Sequence, residues 1–263
     1  MGHPVLKNLQ VVVGIVGAAV ILLTMQGPLR GQQRGGAAQG DQPPATARTS
    51  APYDVTGYWV SEITNNWRTR MVPPPLGDYA DMPLTAAAKK VADAWDPAKD
   101  EAAGNQCKYY GAASIMFQPE RIHIAWQDDN TLRMDIDSGT QTRVFRFGKQ
   151  TSSQGKRTWQ GDSAAEWEPR GRGDAQTAAR SLKVTTTNML PGYLRKNGVP
   201  YSESAVLTEY YDLIQEPDGR TMMIITIAVE DPEFLERKYI VVAHFKKQSD
   251  AAGWDPAPCS ARW

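Results

Sequence analysis

Three hydrophobic patterns follow one another along the chain. The first is an apolar run over residues 9–25, broken only by Gln10 and Thr24. With the flanking residues back to Pro4 it supplies about 30 Å of helix, enough to cross the hydrocarbon core of a bilayer. The second, residues 26–52, has no period. Gly, Pro and Gln dominate it, and Leu29 is its one large apolar residue. Such a segment buries too little surface to offset its ordering entropy, and reads as a flexible tether of about 30 Å. The third pattern begins at Tyr53 and alternates with period two.

Within that third part, residues 55–63 are rich in β-branched and aromatic side chains and read as a strand. Residues 121–127 alternate, with Ile122, Ile124 and Trp126 on one face; Asp128-Asp129-Asn130 supplies a turn, and Leu132, Met134 and Ile136 resume the alternation. This is a hairpin. Gly139 breaks the run and 140–147 forms the next strand. Further strands are expected at 163–169, 181–190, 205–215, 221–229 and 239–245, with Pro217-Asp218-Gly219 as a turn. Residues 222–229 are apolar on both faces, which predicts a central strand covered by a helix or a partner. Helical signal is confined to one place. Thr85 is placed to cap a helix with Leu84, Ala88, Val91 and Trp95 in one stripe, and Asp96-Pro97 opens a second short helix that ends before Gly104. Roughly nine strands with no alternation of helices predict a mainly β fold, an antiparallel barrel or sandwich with a short helical insertion. The chain thus divides into 1–25, a single transmembrane helix; 26–52, a linker; and 53–263, one β-rich domain.

Charge and cysteine content place this domain. Lysine plus arginine number 29 and aspartate plus glutamate 29, a balance that excludes a phosphate-binding basic surface and hence a nucleic-acid partner. The apolar run reads as an uncleaved anchor rather than a secretory signal, because Thr24-Met25-Gln26-Gly27-Pro28 lacks small residues at a cleavage position. Cys107 and Cys259 are the only cysteines. Far apart in sequence, they suit one disulfide in an oxidising compartment; the alternative is two unrelated buried thiols. The expected location is a bacterial inner membrane crossed once, with the main domain in the periplasm and the N-terminal helix in the lipid bilayer.

Candidate chemistry is sparse. His123 and His244, with Asp128 or Asp135, would make a zinc or proton-transfer site only if the strands brought them together, and His123 falls on a polar strand face. Asp128, Asp129, Asn130, Asp135 and Asp137 lack the glycine and closing glutamate of a calcium loop. Glu166 and Glu168 share a strand face, as a glycosidase pair would, but also as a solvated edge would. Arg172-Gly173-Asp174 resembles an adhesion tripeptide in a low-information loop. No catalytic residue, metal ligand set or cofactor site is expected. The aromatic residues Trp126, Trp159, Trp167 and Tyr210 either line a cavity for an apolar ligand or fill the core.

Gly57-Tyr58-Trp59 resembles the Gly-x-Trp signature that opens lipocalin-type barrels. That resemblance implies a lipocalin-like β-barrel in which Trp59 plugs one end and stacks on a basic side chain from a later strand. Separately, Thr56-Gly-Tyr-Trp-Val-Ser, Trp67-Arg-Thr-Arg-Met-Val-Pro-Pro-Pro, Val91-Ala-Asp-Ala-Trp-Asp-Pro, Pro191-Gly-Tyr-Leu-Arg-Lys-Asn-Gly-Val-Pro-Tyr, His244-Phe-Lys-Lys-Gln and Pro258-Cys-Ser-Ala-Arg resemble a family of uncharacterised bacterial secreted proteins. This second likeness implies a periplasmic domain and no assigned reaction. The expected function is a non-catalytic accessory or scaffold subunit that clamps integral membrane subunits of a larger complex, of the photosynthetic reaction centre–antenna or respiratory type. The alternative is a membrane-tethered, lipocalin-like carrier of an apolar small molecule.

Overall fold

The computed structural model describes residues 45–148, 155–170 and 180–262. The apolar run at 9–25, most of the linker, and the Arg-Gly-Asp tripeptide lie outside them. Among the described residues no helix is long and apolar enough to cross a membrane.

Nine strands close into a barrel. In chain order they are β1 (Gly57–Glu62), β2 (Arg121–Asp128), β3 (Thr131–Ile136), β4 (Gln141–Phe147), β5 (Asp162–Pro169), β6 (Arg180–Thr187), β7 (Val206–Gln215), β8 (Thr221–Glu230) and β9 (Tyr239–Gln248). Each strand lies beside its neighbour in sequence, and β9 closes on β1, with Trp59 opposite Lys247 and Ser61 opposite Phe245. Strand directions cannot alternate all the way round a ring with an odd number of members, so one pair must run parallel. That pair is β4 with β5, Phe145 opposite Ser163 and Phe147 opposite Ala165, which corrects the expectation of a wholly antiparallel sheet.

The alternation read from the sequence sets which side chains enter the barrel. Ile122, Ile124, Leu132, Met134, Ile136, Phe145, Val184, Leu207, Tyr211, Ile225 and Phe245 are all buried in one cluster. β8 is indeed apolar on both faces: Met223, Ile225, Ile227 and Val229 enter the core, while Met222 and Ala228 are also buried on the other side.

The two ends of the barrel differ. At one lie the β2–β3 turn and the ends of β4 and β5; there the entering chain is pinned, Asn130 Oδ1 accepting from the Ala47 amide (2.9 Å) and the Asp129 carbonyl from the Arg48 amide (3.0 Å). The other end carries the long insertion between β1 and β2. It holds α1 (Trp67–Met71), α2 (Ala86–Asp93), α3 (Pro97–Ala102), a 3-10 turn at Lys108–Tyr110 and α4 (Ala112–Ile115). Thr85 caps α2 by accepting from the Ala88 amide, and Asp96 caps α3 with Pro97 in its first turn. The buried stripe of α2 is narrower than the sequence suggests. Ala88 and Ala92 are buried, whereas Val91 is 43% exposed and Trp95 half-buried, because two alanines let the helix lie close to the segment at Pro200–Tyr201. Cys107 and Cys259, 152 residues apart, form a disulfide that ties the C-terminal Ala257–Pro258 segment to this capped end.

Candidate functional site

Inside the barrel, toward its capped end, sits a charge pair with no exposure at either side chain. Arg143 on β4 reaches Glu209 on β7 through two hydrogen bonds, Nη1 to Oε1 at 2.8 Å and Nη2 to Oε2 at 2.5 Å. The Tyr211 hydroxyl donates to Glu209 (3.1 Å), and Thr186, itself bonded to Ser163, accepts from Arg143 (3.4 Å). Burial, the largest single influence, would ease a proton off Arg143, but Glu209 with Tyr211 and Glu120 together outweigh it and hold the guanidinium charged. Burial, then the Glu209 charge, pushes the Tyr211 hydroxyl well above its ordinary range. Such a bidentate pair orients the interior but leaves it poorly matched to an apolar ligand.

The capped end of the barrel holds a second polar group. Glu120, just before β2, is 5% exposed, and neither carboxylate oxygen has a hydrogen-bond partner among the described residues. Burial, and then the charge of Asp137, raise its proton affinity well above the ordinary carboxyl range despite Arg70 and Arg143 nearby. Arg70 is 1% exposed and spends its donors elsewhere: Nε on the Phe117 carbonyl (2.8 Å) and Nη2 on Ser61 Oγ (3.0 Å).

The aromatic residues singled out in the sequence divide. Trp59 is fully buried, donates to the Val55 carbonyl (3.0 Å) and lies 4.5 Å beneath Lys247 Nζ. Gly57 makes room for this arrangement: its φ of +103° suits glycine, and a Cβ there would meet the Lys247 side chain at 3.1 Å. Trp126 and Trp167 pack on the core through Phe147, with ring centroids 5.6 and 5.5 Å apart, and Tyr53 completes the row against Trp167. Trp167 Nε1 also donates to the Ala47 carbonyl (2.9 Å), so this row receives the incoming chain. Tyr210 faces out of the barrel, half-buried, because its neighbour along the strand, Tyr211, turns in. Trp159 belongs to the segment ahead of β5, and its carbonyl accepts the Ala112 amide (3.0 Å).

The polar candidates remain apart. His123 stacks on Tyr58 (4.2 Å), while His244 bonds Thr64 (2.6 Å) further down the barrel wall. Asp135 is held by Arg133 and Thr142, and Glu166 and Glu168 both pair with Lys183. Among the described residues no group of His, Cys, Asp and Glu is arranged to hold a metal ion.

One feature was not singled out by periodicity. Trp67 and Met71 on α1, with Val72 and Leu76 after it, are 67%, 59%, 59% and 54% exposed. Pro73-Pro74-Pro75 stiffens the connection between them. These four exposed apolar side chains fall within ten positions and form a ridge along the chain, in the insertion at the end of the barrel opposite the point of chain entry. Isolated exposed apolar residues are ordinary; four so close in the chain point to a surface that meets something. The signal in the sequence is four large apolar residues set among two arginines and a proline run, with Trp67 and Met71 one helical turn apart. No protein-family model, characterised protein or solved structure matches this chain.

Proposed function

We propose that the protein is a non-catalytic scaffold subunit of a bacterial membrane protein complex, held by its N-terminal apolar run and docking other subunits through the ridge at Trp67, Met71, Val72 and Leu76. The observation that carries this reading is the exposure of that ridge, Trp67 above all at 67%. Its composition suits a docking hot spot, since tryptophan and methionine are enriched at interface centres. Position adds to it. The chain joins the barrel at the β2–β3 end and α1 lies at the other, roughly 20 Å away for strands of this length and tilt. A chain that enters at one end of the barrel and carries exposed apolar side chains at the other suits a bridging piece, with the periplasmic parts of integral membrane subunits as the partners.

The barrel itself reads as lipocalin-like, supported by Trp59 on the first strand beneath Lys247 on the last. The carrier reading is the weaker one, because the buried Arg143–Glu209 pair puts charge on the barrel's inner wall, where an apolar ligand would need apolar surface.

The test is a paired substitution, Trp67→Ser with Met71→Ser, in the full chain expressed in its own membranes. Both side chains are exposed, so thermal stability should stay within a few degrees of the parent. Recovery of partner subunits on affinity purification should fall at least tenfold, as for loss of a hot-spot residue worth about 2 kcal/mol. Undiminished recovery would remove the ridge from the account.

A further inference from the structure

The outer wall of the barrel carries a row of side chains that neither the interior nor the ridge uses. Register aligns them across four strands: Tyr58 on β1 lies opposite His123 on β2, His123 opposite Asp135 on β3, and Asp135 opposite Thr142 on β4. All four are half-buried. The Tyr58 and His123 rings stack with centroids 4.2 Å apart. Asp135 Oδ1 accepts from Thr142 Oγ1 (2.7 Å) and Arg133 Nη2 (2.8 Å), and its Oδ2 accepts from Arg133 Nε (2.9 Å).

The C-terminal segment is fastened against this row. Ala257 and Pro258 pair with Ser138 and Gly139, the Ala257 amide donates to the Asp137 carbonyl (3.0 Å), and the Ala257 carbonyl accepts from the Thr140 hydroxyl (3.1 Å). The disulfide at Cys259 secures the far side. On the near side Gly253, with φ +77°, packs so closely on Arg121 that a Cβ would meet its guanidinium at 2.7 Å. Trp254 is thereby held edge-to-face with Tyr58, centroids 6.1 Å apart. Between segment and wall lies a cleft of about 380 Å³, whose lining includes Tyr58, His123, Arg133, Asp135, Thr142 and Trp254.

We propose that this cleft binds the ring of a neutral saccharide. A sugar ring offers C–H groups on its faces and hydroxyls round its edge, so its site needs aromatic surface beside fixed donors and acceptors. The cleft has both. Charge narrows the class further. Arg133 and Asp135 neutralise each other, which leaves no net attraction for an anion or a cation, and their polar atoms make the cleft a poor place for an apolar molecule. Asp135 Oδ2 and the Thr142 oxygen keep lone pairs for a hydroxyl, and the His123 ring offers one donor and one acceptor when neutral. The site involves neither the ridge nor the N-terminal run, so it stands or falls apart from the docking reading.

Saturation-transfer NMR on the full chain in lipid nanodiscs tests this. The probes are cellobiose, maltose and N,N′-diacetylchitobiose, with adenosine as the control, each at about 10 mM. At least one sugar should receive saturation, strongest at the ring protons of one face. Trp254→Ala and His123→Ala should each weaken its binding about tenfold. Both side chains lie outside the barrel core, so either variant should melt within a few degrees of the parent. Should one of them fail to fold, the other decides. No transfer to any of the three sugars overturns the proposal, as does transfer to adenosine alone or sugar binding undiminished in a folded variant.

Discussion

Trp59 and Arg143 are both fully buried in the same barrel and stabilise it in opposite ways. Trp59 adds apolar area, with its one polar atom bonded to Val55. Arg143 is tolerated only because Glu209 answers it. Arg143→Met should therefore strand a buried carboxylate and cost about 3–5 kcal/mol in denaturant unfolding, whereas Arg143→Met with Glu209→Leu should recover most of the loss. A double variant as unstable as the single would mean the pair is not what organises the interior. The sequence carried part of this. Arg143 has the same parity as Phe145, and Glu209 the same as Leu207 and Tyr211, so alternation alone places both inside. Charge argues the other way, and a strand pattern cannot reveal a partner three strands distant. Tyr210 shows the same difficulty from the other side: next to Tyr211, it is equally aromatic, and only register decides which of the two turns in.

At the scale of elements, period-two segments were legible because one buried face imposes alternation on every strand. β2 and β3 lie where the hairpin Ile122–Trp126 and Leu132–Ile136 put them. The parallel β4–β5 contact was not legible, since it follows from strand number and closure, properties of the whole ring. Nor was α1, five residues long with one buried side chain, too short for a periodic stripe. The disulfide makes a prediction at this scale. Cys107 and Cys259 close a loop spanning 152 positions, and on chain-entropy grounds Cys259→Ser should lower unfolding stability by about 5 kcal/mol at most. The loss should be equalled by reduction of the parent with dithiothreitol. If reduction leaves the denaturation midpoint unmoved, the crosslink does not constrain the unfolded chain as argued.

At the scale of the molecule, the two ends of the barrel are made differently. The incoming chain is fastened at the Trp126, Phe147 and Trp167 end, the barrel interior holds a buried apolar cluster and the Arg143–Glu209 pair, and exposed apolar side chains lie on α1 and just after it at the far end. On the proposed reading, a barrel with a charge pair on its inner wall and exposed apolar side chains at one end touches partners rather than enclosing a ligand. The measurement that tests this most directly is affinity purification of the intact chain from gently solubilised native membranes, with co-purifying proteins identified and quantified by mass spectrometry. The account predicts a fixed, near-stoichiometric set of integral membrane subunits. Recovery of the chain alone, or with a bound apolar small molecule in place of protein partners, would contradict it.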